Sequence, residues 1–250
     1  MAALRPMWHN PRSCAPCSWP LMTDACHRAG AARVTAVVPY LGYARHDRRE
    51  LGSEPRGARV MAELLAACQV ERVVCMDLHS PAVEGCFPQP VEHASAIPVL
   101  VEAVRARLPA NAVVSPDLGA VKRAESFARP LGLGAVVVHK QRLSGSDVKV
   151  QGVVGDVKGR HAIVVDDMIS TGGTLVAAVN AVLAAGAEKP VTVVASHGLF
   201  VGPAAERLAT IPLARVIVSD SLPGPLNPTF PLERVSCAPM LATVVRRLTS

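Results

Sequence analysis

The feature that most constrains the fold is a series of short, uninterrupted apolar runs, rich in valine, that recur from residue 31 onward. A strand with one face in water alternates apolar and polar residues, whereas an unbroken run indicates a strand covered on both faces. We predict seven such strands, at residues 34–38, 73–76, 112–115, 135–138, 163–165, 191–195 and 216–219. Helices are predicted near residues 57–68, 94–108, 119–131, 174–186, 203–210 and 239–248. This alternation predicts an α/β fold with mostly parallel sheets and right-handed crossovers.

Composition narrows the class of protein. Hydrophobic residues make up 50% of the 250 residues and charged residues 18%, which excludes a disordered chain. The most apolar uncharged stretch, 168–187, is interrupted by hydroxyl residues and glycines, so it predicts a buried helix and not a membrane span. The formal charge of +6 is compatible with an anionic ligand. Aromatic residues are only 3% and no basic face is apparent, so we expect no nucleic-acid partner.

The seven cysteines are spread thinly and are odd in number. Cys14 and Cys17 form a lone C-x-x-C pair, without the second pair that a zinc knuckle requires. Cys68 and Cys75 lie inside apolar runs, where cysteine serves as a small core residue. The N-terminus also lacks the continuous apolar stretch of a secretory signal. We therefore expect a reducing, cytoplasmic location.

A seam in the chain lies around residues 88–98, where prolines surround a short polar segment. It favours two linked α/β units over one continuous sheet. We expect an irregular lead-in at residues 1–30, an N-terminal unit at 31–97 and a C-terminal unit at 98–230. Residues 231–250 are expected to form a last strand and helix, which could return to the N-terminal unit.

The strongest local signal follows the predicted strand at 163–165. Asp166 and Asp167 stand at its carboxyl end, and a turn rich in glycine and hydroxyl residues then opens an apolar helix. The amides of such a turn, together with the positive end of the helix dipole, form a seat for a phosphate monoester. The two carboxylates can accept hydrogen bonds from sugar hydroxyls, so the segment predicts a site for a sugar that carries a terminal phosphate. The alternative is an acidic turn followed by an ordinary Ser/Thr helix cap. Such a cap needs only one hydroxyl residue and neither the two adjacent acids nor the glycines.

This run resembles the ribose 5-phosphate loop of the type I phosphoribosyltransferase-like fold. Further segments resemble the ribose-phosphate diphosphokinases, also called phosphoribosyl diphosphate synthetases. They are VPYLGYARHDRR at 38–49, MDLH at 76–79, VSPDLGA at 114–120, HKQR at 139–142 and SHGLF at 196–200. These segments have the order and spacing of the family, and the resemblance extends over nearly all of the chain from about residue 30 to the C-terminus. The resemblance implies two phosphoribosyltransferase-like α/β units with mostly parallel sheets.

The resemblance implies transfer of the diphosphoryl group of ATP to the anomeric hydroxyl of ribose 5-phosphate, for nucleotide biosynthesis. On the family pattern, ATP would be bound by Arg45, His46, Arg48 and His79, although His46 stands where the family commonly has Gln. His79 and Asp117 match the residues that the family links to Mg²⁺. Because Mg²⁺ prefers oxygen ligands, His79 could act through a bound water or contact ATP directly.

Lys140 and Arg142 match the cationic pair on the family's catalytic loop, and residues 143–151 have the composition of a mobile lid. The pair is expected to neutralise the transferring group. The implied ribose 5-phosphate residues are Arg142, Asp166, Asp167, Ser170, Thr171, Gly172, Gly173 and Thr174. Ser170 replaces an Asp that many family members have.

The sequence departs from the family at its N-terminus, where no Phe-x-Asp-Gly-Glu loop occurs. We therefore expect an incomplete N-terminal unit with exposed sheet surface or edge. Either the reading frame is truncated or misassigned, which we favour, or the protein works with an altered ATP site. Two alternatives stay open: a non-catalytic regulatory partner of a complete synthetase, and a phosphoribosyltransferase that consumes phosphoribosyl diphosphate. The retained Lys140, Arg142 and acidic pair argue against the first, and the 43–49 run argues against the second. Homo-oligomerisation is expected from the resemblance.

Overall fold

The structure is a computed structural model that describes residues 15–47, 54–105, 112–144, 147–225 and 227–249. The chain forms two compact units, Met1–Ala94 and Ser95–Ser250. Both units are built of α-helices and largely parallel strands, as the sequence predicts. Among the described residues, no helix is long and apolar enough to cross a bilayer.

The first unit contains a parallel three-stranded sheet in the order β1-β2-β3. Its elements are α1 (Ala15–Arg28), β1 (Thr35–Val38), α2 (Gly57–Ala67), β2 (Arg72–Met76), a 3₁₀ helix (Pro81–Cys86) and β3 (Val91–Ala94). The buried residues of α2 are Ala58, Met61, Ala62 and Leu65, which recur at the spacing of one helix face. That face joins the β2 residues Val73 and Cys75 in the core of the unit.

The second unit is dominated by a seven-stranded sheet in the order β10-β9-β8-β7-β4-β5-β6. Its strands are β4 (Ala112–Ser115), β5 (Ala135–Ser144), β6 (Asp147–Val154), β7 (His161–Ile169), β8 (Glu188–Gly198), β9 (Leu213–Ser219) and β10 (Leu232–Val235). Its helices are α3 (Ile97–Arg105), α4 (Val121–Ala128), α5 (Gly173–Ala184), α6 (Ala204–Ala209) and α7 (Ala238–Thr249), with a 3₁₀ turn at Arg129–Leu131. All pairings are parallel except that of β5 with β6.

All seven predicted strands and all six predicted helices are present in the structure. The central strands are buried on both faces, which explains why their sequences are continuous apolar runs: all four residues of β4 are buried, as are seven of the nine in β7. Helix α5 is apolar because it packs on this sheet: Leu175, Val179 and Val182 lie in the same core cluster as the strand residues.

The irregular lead-in predicted for residues 1–30 is wrong for residues 15–28, which form helix α1. Pro20, inside the helix, lowers the helix propensity of this segment. Tertiary contacts override that preference, because Trp19 packs against the core of the first unit. Within the helix, the Thr23 hydroxyl donates to the Trp19 carbonyl (2.8 Å) and Arg28 pairs with Asp24 (2.7 Å).

Two strands lie outside the predicted set, and a third lies within the segment predicted for it. β3 is short and only partly buried, so it lacks the apolar run that marks the other strands. β6 occupies most of the segment read as a lid, and it pairs antiparallel with β5 at the edge of the sheet. β10, the strand expected within residues 231–250, extends the second unit's sheet beside β9.

Candidate sugar-phosphate site

The acidic pair lies at the carboxyl end of β7, a central strand flanked by β4 and β8. Asp166 is half-buried and Asp167 is buried, and the Asp167 amide donates to Asp166 Oδ1 (2.8 Å). The two carboxylates are therefore only partly exposed, and hydrogen bonds that they make to a ligand are stronger than in bulk water.

The pKa of Asp166 is raised well above its usual value, first by burial and then by the charges of Asp167 and Asp117. Asp117 follows β4, the neighbour of β7, so parallel pairing brings the three carboxylates to one edge of the sheet. Without a ligand, this edge is electrostatically unfavourable when it is fully ionised. Hydroxyl donors or a cation placed there would favour the charged forms.

Asp117 is held in a tight turn between β4 and α4. Its Oδ1 accepts hydrogen bonds from the amides of Gly119 (2.9 Å) and Ala120 (3.1 Å), and the Ser115 hydroxyl donates to its carbonyl (2.7 Å). Because the turn occupies Oδ1, Oδ2 is the oxygen left to face a ligand. The turn therefore fixes the orientation of the Asp117 carboxylate. The sequence alone shows only that Asp117 lies in the VSPDLGA motif.

The turn that follows β7 is secured by main-chain hydrogen bonds. The Ile169 carbonyl accepts from the amides of Leu199 and Phe200 (3.0 Å each), and the Ser170 carbonyl accepts from Val201 (3.1 Å). Gly172 precedes α5 with a φ of 78°, a left-handed conformation that favours glycine. Having no side chain, Gly172 cannot cap the first amides of α5, which suits them to binding an anion.

One residue beside this turn is not marked by the sequence. Arg207 of α6 donates from Nη1 to the Thr171 carbonyl (3.1 Å), and the same nitrogen would lie 3.5 Å from a Cβ placed on Gly173. The guanidinium therefore braces the turn and brings a positive charge to it. The helix at 203–210 was predicted, but nothing in its local pattern connects it with residues 170–174.

In the first unit, Arg45 and His46 lie in the loop after β1, and both are exposed. The His46 amide donates to the Tyr43 carbonyl (2.9 Å), and the His46 carbonyl accepts from Ala58 at the start of α2 (3.3 Å). Tyr43 has a φ of 64°, an uncommon conformation for an aromatic residue. Arg48 lies outside the described residues. His79 follows β2 and is exposed.

Lys140 and Arg142 lie on β5, where their backbones pair with Val150 and Val148 of β6. A register shift separates His139 from Lys140. The side chains of both cations lie outside the described part of the chain. The structure therefore brings Asp117, Asp166, Asp167 and the 170–174 turn to one edge of the second unit.

This geometry can be set against proteins of known family. Residues 14–68 match the model of the N-terminal domain of ribose phosphate pyrophosphokinase, and residues 148–250 match that of the phosphoribosyl synthetase-associated domain. The chain is 44% identical over 230 residues to the ribose-phosphate pyrophosphokinase of Aquifex aeolicus, covering 91% of this chain and 74% of the relative. This chain belongs to the ribose-phosphate pyrophosphokinase family. It is also 41% identical over 235 residues to the enzyme of Streptomyces avermitilis, covering 91% of this chain and 72% of that one.

A solved structure supports the same assignment. The phosphoribosylpyrophosphate synthetase of Mycobacterium smegmatis superimposes with a TM-score of 0.83 at 38% identity, covering 94% of this chain and 77% of that one. The family resemblance, the fold class and the kinase type of enzyme expected from the sequence are thereby confirmed. Ribose-phosphate pyrophosphokinases are ATP-using enzymes that generally need a metal ion.

Proposed function

We propose that this chain transfers the diphosphoryl group of ATP to the anomeric hydroxyl of ribose 5-phosphate, giving phosphoribosyl diphosphate and AMP. The observation that carries the proposal is the succession, at the end of β7, of one half-buried and one buried carboxylate and a helix start without a side-chain cap. Ribose 5-phosphate carries the groups that such a site would bind. Its diol suits the two carboxylates, and its phosphate, on the opposite side of the ring, suits the helix start.

In the proposed complex, amides at the start of α5 and the hydroxyls of Ser170, Thr171 and Thr174 bind the sugar phosphate. Thr171 and Thr174 are exposed, so their hydroxyls are accessible to a ligand. Asp166 and Asp167 accept hydrogen bonds from the ribose diol. These contacts fix the ring and leave the anomeric hydroxyl pointing toward the nucleotide.

The reaction then forms a bond between the anomeric oxygen and the β-phosphorus of ATP, while the bond from that phosphorus to the oxygen of AMP breaks. The hydroxyl proton is released to solvent. Charge accumulates on the phosphoryl oxygens in the transition state, so we assign its neutralisation to Lys140 and Arg142. Arg45, His46, Arg48 and His79 are proposed to bind ATP.

Mg²⁺ is the proposed metal, and on the family pattern we assign Asp117 to it; the same pattern links His79 to Mg²⁺. The donor chemistry of the acidic edge fits it, since a carboxylate with one oxygen engaged by a turn resembles the few protein ligands that Mg²⁺ commonly takes, the rest being phosphate and water. When bound, the ion would neutralise charge on the ATP phosphates. Among the described residues, no group of three or more His, Cys, Asp or Glu side chains could hold a metal ion.

The deciding assay is chromatographic detection of AMP from ribose 5-phosphate and MgATP. We expect Lys140→Ala to lower kcat by about 100-fold or more, as losing one transition-state donor does. Lys122→Ala, which removes an exposed cation from α4, is the matched control and should leave kcat unchanged. Unchanged AMP release in Lys140→Ala would remove Lys140 from the mechanism.

Two other outcomes would favour the alternatives. Ribose 5-phosphate binding without AMP release would favour a regulatory partner, and consumption of phosphoribosyl diphosphate with a nucleobase would favour a phosphoribosyltransferase. We also propose a cytoplasmic homo-oligomer. The free thiols of Cys26, Cys68, Cys75, Cys86 and Cys237 support a reducing location, and light scattering would measure the oligomer.

A further inference from the structure

The segment that carries His79 has an unusual backbone. It joins β2 to the 3₁₀ helix, and its first two residues, Asp77 and Leu78, are buried while His79 is exposed. Asp77 has a φ of 43°, a conformation that non-glycine residues adopt only when their surroundings hold them there. The direction in which His79 leaves the sheet therefore depends on what holds its two predecessors.

Both predecessors are held by the end of β3. The Asp77 amide donates to the Ala94 carbonyl (3.0 Å), and the Leu78 amide donates to Nε2 of the His93 ring (3.1 Å). His93 and Ala94 already pair with Cys75 and Met76 of β2. The side chain of His93 thus continues the strand pairing past the point where the main chain of β3 can provide it.

The second ring nitrogen of His93 is engaged as well. Because Nε2 accepts a hydrogen bond from an amide, the ring proton belongs on Nδ1, which donates to Glu84 Oε1 at 2.8 Å. Glu84 lies in the 3₁₀ helix that begins after Ser80, and the Ser80 hydroxyl accepts from the Ala82 amide (3.1 Å). Both sides of residue 79 are therefore fixed, on one side through His93 and on the other through the start of the 3₁₀ helix.

We propose that His93, with its tautomer set by Glu84, is a positioning residue that orients His79 for binding MgATP. The role of His79 in this inference rests on the proposed function. The hydrogen-bond relay, which runs from Glu84 through His93 to the Leu78 amide, does not. Both nitrogens of the His93 ring have partners in the relay, so His93 acts through the Leu78 main chain and not as a ligand. Glu84 keeps the ring proton on Nδ1, since the other tautomer would set a ring N–H against the Leu78 amide.

The relay can be tested by replacing His93 with Gln or Asn, whose side-chain amide groups lie at different distances from the main chain. The side-chain oxygen of Gln extends about as far as Nε2 of His and can accept from Leu78, whereas that of Asn reaches only the position of Nδ1. We expect His93→Asn to raise the KM for MgATP by about three- to tenfold, the effect of losing one net hydrogen bond, with the KM for ribose 5-phosphate unchanged. His93→Gln should stay near the wild-type value. Equal KM values for the two variants would overturn the proposal.

A second readout needs no turnover. Exchange of the Leu78 amide with solvent, followed by NMR, should be about tenfold faster in His93→Asn than in the wild type and in His93→Gln. Glu84→Ala should also accelerate it, and Glu84→Gln, which retains an acceptor for Nδ1, should not. Unchanged exchange in His93→Asn would overturn the relay.

The two readouts separate the proposals. If the wild type releases no AMP, the proposed function fails, and amide exchange alone decides whether the relay exists. His161 provides a matched control, because it is a partly buried histidine of the second unit that is hydrogen-bonded to Thr192 (3.0 Å). His161→Asn should change neither the KM for MgATP nor the Leu78 exchange rate. A circular dichroism spectrum like that of the wild type would show that each variant is folded.

Discussion

The turn after β7 and the segment after β2 have similar proposed roles but are held in place by different kinds of hydrogen bond. Both leave the carboxyl end of a parallel strand and present polar groups to a proposed ligand. The turn after β7 lies on a central strand of a seven-stranded sheet, and carbonyls at Ile169 and Ser170 secure it through main-chain bonds. The segment after β2 lies in a three-stranded sheet and is secured in part by the side chain of His93.

The difference has a consequence for mutation. A main-chain hydrogen bond survives most substitutions, because every residue except proline retains the donor and the acceptor. A bond made by a side chain is lost with that side chain. The sugar-phosphate side should therefore tolerate changes to its supporting residues better than the proposed nucleotide side does, and should be sensitive chiefly at the residues that contact the ligand.

The largest expected effect is at the proposed sugar contacts of the second unit. Ribose 5-phosphate should raise the melting temperature of the wild type, since a ligand that binds only the folded state stabilises it. Asp166→Asn combined with Asp167→Asn should abolish that increase, because the diol would lose both anionic acceptors. Differential scanning fluorimetry with ribose 5-phosphate measures it, and a retained increase would disprove the assignment of these two residues to the sugar.

The next effect tests the sensitivity of the first unit. A Cβ added at Gly57 would lie 2.9 Å from Tyr43 Cβ and 3.3 Å from His46 Cβ, so the loop that carries Arg45 must shift. We expect Gly57→Ala to lower the free energy of unfolding by about 1–3 kcal/mol, the usual cost of overpacking, and to raise the KM for MgATP.

Gly85→Ala is the control for Gly57→Ala, because nothing lies within 4 Å of its added Cβ. Urea unfolding and initial-rate kinetics measure both variants. If Gly57→Ala were as stable and as active as Gly85→Ala, the proposed nucleotide side would be less dependent on side-chain packing than we infer.

A smaller effect is expected at the support of the phosphate turn. Arg207→Ala removes one hydrogen bond to the Thr171 carbonyl and a nearby positive charge, while the main-chain bonds at Ile169 and Ser170 remain. We expect the KM for ribose 5-phosphate to rise by no more than about twofold, with the KM for MgATP unchanged, because the main-chain bonds still hold the turn. Arg215→Ala, which breaks an exposed pair with Glu233, should change neither constant. A loss of all activity in Arg207→Ala would contradict the tolerance that we ascribe to this turn.

The smallest effect concerns stability without ligand. The pKa of Asp166 is raised in the folded state by burial and by Asp167 and Asp117, so the folded protein loses stability as the pH rises above the ordinary pKa of a carboxyl group. Asp166→Asn removes that penalty. We expect its melting temperature to exceed that of the wild type by about 2–4 °C at pH 8, a change that corresponds to roughly 1 kcal/mol in a chain of this size.

The difference between Asp166→Asn and the wild type should shrink as the pH falls below the ordinary carboxyl pKa, toward pH ~3, where the wild-type carboxyl is mostly protonated in both states. Thermal scans across this pH range, made without ribose 5-phosphate or metal, measure it. A difference that is constant with pH would mean that packing, and not ionisation, sets the effect of the substitution.

Much of the molecule was readable from local pattern. Apolar runs predict the strands on both sides of the acidic pair, and the sequence from Asp166 to Thr174 predicts a phosphate-binding turn. The errors lie where local pattern and tertiary contact disagree. Helix α1 contains proline but is supported by Trp19, and β3 is a short, partly exposed strand whose sequence resembles a loop.

The sequence by itself determined the elements of the sheets and the chemistry of the 166–174 turn, because periodicity and turn composition are properties of adjacent residues. Only the tertiary structure decided which side chains support the two proposed binding segments. Arg207 lies 36 residues from Thr171 and His93 lies 15 from Leu78, and neither is marked by a pattern of its own. The physical reason is that such support depends on where a fold brings distant side chains within about 3 Å of a main-chain atom, and hydrogen bonds are lost beyond that range.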